Sequence, residues 1–170
     1  MNVCNAGQRA WRLIRALADN RLSIAVAESC TGGLLGSLLA RVSGASSAFW
    51  GGFITYSLDA KKKILGIDPR LLDEYGAVSR ECARAMAESA RRLAGTDTAL
   101  AITGLAGPDG DGSDTPVGTV WVAGIFPEGA AKEAVYRFTD RRNVVRAKAA
   151  AAAIALGLEM ADLNHLQARD

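Results

Sequence analysis

Between Gly44 and Lys61 the sequence reads GASSAFWGGFITYSLDAK, and three of its residue types can handle protons. Ser46 and Ser47 are adjacent hydroxyls just before a glycine pair, Tyr56 closes a β-rich run, and Lys61 follows five residues later. A serine on a loop, a tyrosine at a strand end and a lysine at a helix start can meet in one place. There they would supply a nucleophile, a relay and a base. The residue types alone leave open which serine acts, and which member of the Lys61-Lys62-Lys63 triplet.

A second stretch with chemical potential is AESCTGG, Ala27 to Gly33. It takes an apolar run into small polar residues and glycines, then into the helical pattern of Leu34 to Val42. Free amides and the dipole at such a helix start favour an anion, and Ser29 or Thr31 would serve as an N-cap. A third is the long loop LAGPDGDGSDTPVG after the apolar run Thr98 to Thr103. Loops of this length in compact domains are usually functional or disordered. Its aspartates at 109, 111 and 114 superficially resemble a calcium loop. The glycine order is wrong and no glutamate closes the ligand set, so no metal is expected. The single histidine, His165, stands near the end of the sequence, which excludes a Ser-His-Asp triad in any ordinary position. Cys30 has no histidine partner to make it a nucleophile.

The elements that must position these groups follow from periodicity. Trp11, Leu13, Ile14, Leu17 and Ala18 fall at helical spacing within residues 5–19. Arg21 to Ala27, Gly51 to Ser57 and Thr98 to Thr103 read as strands, and Val117 to Phe126 with Lys132 to Phe138 as a hairpin joined by Pro127-Glu128-Gly129. Helices are expected over Asp59 to Leu65, stopped by Gly66, at Pro69, over Arg80 to Ala94 with Ser79 as N-cap, and from after Arg142 to about Leu163. In the long helix Met86, Ala90 and Leu93 are expected to face the core. The result is one domain over residues 1–170, a three-layer α/β/α sandwich around a mixed, roughly five-stranded sheet. Ligands in such sheets sit where loops leave the carboxyl ends of strands, so the loops after Ala27, Tyr56 and Thr103 are candidates for one shared site.

Bulk properties exclude several functions. A net charge of +2 gives no footprint for nucleic acid. The most apolar run, Ala149 to Leu158, is too short to cross a bilayer, and the arginine-rich start is not a signal peptide. Three cysteines (4, 30 and 82) without metal-type spacing point to a reducing cytoplasm.

Six ordered motifs, AESCTGG, GASSAFWGGFITYSLDAK, GAVS, AITGLAGPDG, PVGTVWVAG and TDRRNVVR, resemble the C-terminal domain of the competence/damage-inducible protein CinA. The resemblance runs from about residue 8 to 160 and is closest to the stand-alone nicotinamide mononucleotide amidohydrolases. It implies an α/β/α domain that self-associates, with a dimer favoured. It also implies hydrolysis of the carboxamide of nicotinamide mononucleotide to nicotinic acid mononucleotide and ammonia, in pyridine nucleotide salvage and without a cofactor. Carried over by motif, it makes Ser46 the nucleophile and assigns proton handling to Tyr56 and Lys61. The expected substrate-binding set is Ser29, Thr31, Gly32, Gly33, Thr103, Gly104 and Arg141. Leu58 stands where the family often has asparagine. The alternative is a non-catalytic nucleotide-binding or competence- and damage-associated module of the same family.

Overall fold

The computed structural model describes residues 5–167, with side chains to residue 162. Cys4 and the side chain of His165 lie outside the described residues. In chain order the elements are α1 (Ala6–Asp19), β1 (Ile24–Glu28), α2 (Leu34–Ala40), β2 (Phe49–Ile54), α3 (Leu58–Leu65), α4 (Pro69–Tyr75) and α5 (Arg80–Ala94). Then come β3 (Thr98–Gly104), β4 (Thr119–Ile125), β5 (Ala131–Arg137) and α6 (Arg142–Gln167). The strands form one sheet in the order β2-β1-β3-β4-β5. β1 is parallel to β2 and β3, whereas the β3–β4–β5 meander is antiparallel. With helices on both faces this is the expected three-layer α/β/α sandwich around a mixed five-stranded sheet.

Alternation along β3 divides the core. Leu100 and Ile102 join Leu13, Ile14 and Leu17 of α1, Leu35 and Leu39 of α2 and the alanines of α6. Ala99 and Ala101 join Cys82, Met86 and Ala90 of α5 with Leu65 of α3. Bulky β-branched and leucine side chains thus face the alanine-rich α6, while small ones on the other face meet the larger side chains of α5. Two expected core positions are solvent-facing instead: Trp11 is 53% exposed and Leu93 is 44% exposed. β1 also starts three residues later than its apolar run. Arg21 adopts φ 58, with its amide on Ala18 O and that of Leu22 on Leu17 O, so these residues close the end of α1 rather than open the strand.

Register decides what can meet. Glu28 at the end of β1 pairs with Ile54, the end of β2, and with Ile102 of β3, which runs on to Gly104 in the same direction. The residues that follow these strands share one edge of the sheet. Ile24, at the other end of β1, pairs with Phe49 and donates its amide N–H to Ala48 O.

Candidate active site

Lys61 is the organising group. It lies in α3, capped by Ser57, whose hydroxyl accepts the Ala60 amide. The helix turns Lys61 inward under the ends of β1 and β2, where it is only 2% exposed. Nζ donates to Ser29 Oγ at 2.9 Å and to Thr55 O at 2.9 Å. Neither oxygen carries a formal charge, and no ion pair to Lys61 occurs among the described residues. Burial therefore pushes the lysine below its ordinary value, with weaker opposing influences from Cys82 and Cys30. A depressed lysine beside a serine hydroxyl has the chemistry of a general base and its nucleophile.

Ser29 is the first residue past β1, its amide bonded to Ile102 O of β3. It lines a cavity of about 400 Å³, with Lys61 in the lining and Tyr56, Thr103, Gly104 and Arg142 around it. The size suits a small metabolite. Thr103 is buried and donates its hydroxyl to Ala77 O at 2.6 Å, which leaves its oxygen to accept. Tyr56 is largely exposed, and its hydroxyl accepts from Arg142 Nη2 at 2.6 Å. The other arm of Arg142, Nη1, donates to Gly107 O, so this side chain bridges two of the three loops. Cys30 and Leu58 also face the cavity. Burial pushes the Cys30 thiol up to about 11, against the lowering field of Lys61, which keeps it protonated and unreactive.

The loops after β1, β2 and β3 therefore do converge, and Ser29, Tyr56, Lys61, Thr103 and Gly104 come together. Ser46 does not join them. It is exposed, in a 3-10 turn at Ala45–Ser47 before β2, at the opposite end of the sheet. The length of β1 alone, four steps, separates the two ends by about 13 Å. The strand between Ser46 and Tyr56 is what carries them apart. Arg141 is also outside the cavity lining, where its neighbour Arg142 stands.

The expected anion site at AESCTGG is also occupied from within. The N-cap of α2 is Gly33 in the left-handed region, with no side-chain cap from Ser29 or Thr31. Glu28, 1% exposed, supplies its carboxylate instead: Oε2 accepts from Gly33 N and Leu35 N at 3.0 Å each, and Oε1 from Gly36 N at 2.7 Å. Gly32 N donates to Ser29 O. The Gly32 and Gly33 amides are thus committed, and Thr31, Gly32 and Gly33 stand behind the cavity rather than in its lining. Thr31 is held there by Arg146, whose Nη2 donates to Thr31 O at 2.7 Å.

Residues 8–161 match the family described as the CinA C-terminal domain. The chain belongs to that family. It is 46% identical over 140 residues to a CinA-like protein of Geobacter sulfurreducens, covering 82% of this chain and 34% of that protein. A CinA-like protein of Thermotoga maritima is 44% identical over 142 residues, covering 84% and 34%. The chain spans about a third of the length of these curated relatives. A crystal structure of a competence-damaged protein (CinA) superfamily member from Klebsiella pneumoniae superposes with a TM-score of 0.89 at 35% identity, covering 93% of this chain and 98% of that one. The competence/damage-inducible protein of Agrobacterium tumefaciens gives 0.88 at 34% identity, covering 93% and 96%.

Two residues important to this CinA domain were missed from sequence. Glu28 is a carboxylate at the end of an apolar strand just before a glycine-rich helix start, and that juxtaposition is a readable signal for an internal cap. Arg142 has none: which of two adjacent arginines reaches the cavity depends on how α6 docks. Among the described residues no cluster of His, Cys, Asp or Glu could hold a metal, and no helix is long and apolar enough to cross a membrane.

Proposed function

We propose that the chain hydrolyses the carboxamide of nicotinamide mononucleotide to nicotinic acid mononucleotide and ammonia, with Ser29 as nucleophile and Lys61 as base. One observation carries this reading: a buried lysine, without a carboxylate partner among the described residues, stands 2.9 Å from a serine hydroxyl in the lining of a metabolite-sized cavity. The neutral Lys61 amine keeps one N–H on Thr55 O and receives the Ser29 proton on its lone pair. Ser29 Oγ attacks the carboxamide carbon. The resulting ammonium returns its proton to the departing nitrogen, which leaves as ammonia. Water then attacks the acyl ester, and Lys61 takes its proton and passes it to Ser29 Oγ as the ester C–O bond breaks, which frees the acid and restores the hydroxyl. Arg142 uses two of its five N–H donors on Tyr56 and Gly107, and the others are available to a phosphate at the cavity mouth. Asp109 and Asp111 line the same cavity and favour the cationic ring.

The test is ammonia release from nicotinamide mononucleotide by the pure protein. Ser29→Ala and Lys61→Met should each lower turnover by at least about a hundredfold, as loss of a nucleophile or general base does. Ser46→Ala should remain within about twofold of the parent, because nothing places that hydroxyl near the cavity. Absence of ammonia, with the mononucleotide still bound, would instead favour the non-catalytic module.

A further inference from the structure

The nucleophile's turn is an unfavourable piece of backbone to hold still. Residues 29–33 form turns between β1 and α2, with Gly32 at φ 57 and Gly33 at φ 92. Two glycines give that turn more freedom to lose than any other residue type would. α2 offers no side-chain N-cap of its own, so its first amides would be orphaned inside the protein. One carboxylate answers both needs. Glu28 immediately precedes Ser29, and its oxygens accept from Gly33 N, Leu35 N and Gly36 N across the turn. Charge-assisted bonds of this kind are roughly twice as strong as neutral ones. They close a ring in which the residue before the nucleophile is tied to the helix after it.

We propose that Glu28 is a positioning residue for Ser29: its buried carboxylate fixes the turn between β1 and α2 and so holds the hydroxyl at Lys61. This rests on the reading of Ser29 as the nucleophile. Glu28 does not line the cavity and touches no reacting group; it acts through the backbone of residues 29–36. A displacement of about 1 Å at a nucleophile can cost about a hundredfold in rate, so an anchor of this kind should appear in kcat rather than in KM. Glu28→Gln tests it closely, because the amide matches the shape but turns one acceptor into a donor aimed at backbone N–H groups.

The experiment compares wild type, Glu28→Gln and Glu28→Asp in two assays. One is steady-state ammonia release from nicotinamide mononucleotide. The other is the rate at which a fluorophosphonate labels Ser29, located by mass spectrometry, which also counts competent sites. Expected for Glu28→Gln is a kcat per labelled site about a hundredfold lower, with KM within about threefold and labelling slowed in parallel. Glu28→Asp keeps the charge with a shorter reach and should recover at least about tenfold over Glu28→Gln, while staying below wild type. A purely structural role would show fewer labelled sites, each with full kcat, and that outcome overturns the proposal. If Glu28→Gln does not fold, Glu28→Asp decides: wild-type kcat per site rejects the anchor, and a tenfold loss at unchanged KM supports it. A wild-type protein that neither labels at Ser29 nor releases ammonia removes the underlying reading, which a fully active Glu28→Gln would leave intact.

Discussion

At Lys61 Nζ the two oxygen neighbours, Ser29 Oγ and Thr55 O, are both uncharged, so the described residues give the ammonium hydrogen bonds but no counter-ion. Burial then lowers its pKa from 10.5. The base form is the neutral amine, so kcat/KM should rise with pH and level off at an inflection below 10.5, measured by ammonia release in overlapping buffers. An inflection at the ordinary lysine value, or a profile falling through neutrality, would remove Lys61 from the role. Lys61→Arg makes the same point without removing charge. Guanidinium stays protonated at all relevant pH and cannot accept the serine proton, so turnover should drop by about a hundredfold or more. Retained turnover would mean that the positive charge, not the base, is what the site uses. Junction positions marked Ser29, Tyr56 and Lys61 as residue types able to handle protons, but choosing them, Thr103 and Ser46 from their neighbours rested on the resemblance rather than on spacing. The end of the sheet at which Ser46 lies was not legible, since motif order along the chain does not give it.

The elements were more legible than the site. Local chemistry marks their ends: Ser57 and Ser79 cap α3 and α5 through their hydroxyls, and Gly66 and Gly95 close the same helices in the left-handed region. Those signals need no knowledge of the rest of the fold. What periodicity could not supply was register, and register is what sets Ser29 beside Thr55 and Ser46 far from both. One glycine enforces it. A Cβ on Gly52 of β2 would stand 2.4 Å from Val26 Cγ2 and 3.0 Å from Val26 O of β1. β2 therefore approaches β1 so closely that a side chain at position 52 would have to displace the Val26 methyl and push back its backbone oxygen. Gly52→Ala should destabilise the fold by roughly 1–3 kcal/mol, read as a lower guanidinium midpoint at unchanged slope. It should also lower ammonia release below what the unfolded fraction explains, because both strands end at Lys61's partners. An unchanged midpoint would show that β2 can shift away freely, and that its closeness does not set the site.

Across the whole molecule the same burial that prepares Lys61 makes stability depend on pH in two opposing ways. The folded lysine binds its proton less tightly than the unfolded one. Below its folded pKa the full penalty of burying an ammonium is present. As pH rises toward 10.5 the folded state loses the proton first, and stability increases. Cys30 and Cys82 act oppositely. Burial raises both thiols from 9.0 to about 11, so the unfolded chain ionises first and the stability they contribute is present below 9 and lost between 9 and about 11. For each thiol that loss is on the order of 2–3 kcal/mol. Cys30 and Cys82 lie in the cores on opposite faces of the sheet, but each feels the charge of Lys61, so removing one group should change the field on its partners. Chemical denaturation at intervals from pH 7 to 11 should therefore show stability falling above pH 9, by less than the two thiols alone would give because the lysine opposes them. Cys82 is fully buried and does not line the cavity, which makes Cys82→Ala the clean variant. Its stability difference from wild type should be constant below pH 9 and shrink, or reverse, above it as wild type alone loses the contribution of the second thiol. Lys61→Met should show the converse, a difference from wild type that is largest at neutral pH and narrows toward 10.5. Parallel curves for Cys82→Ala and wild type across the alkaline range would mean that this thiol ionises alike in both states, and that the pocket around Lys61 is wetter than its packing requires.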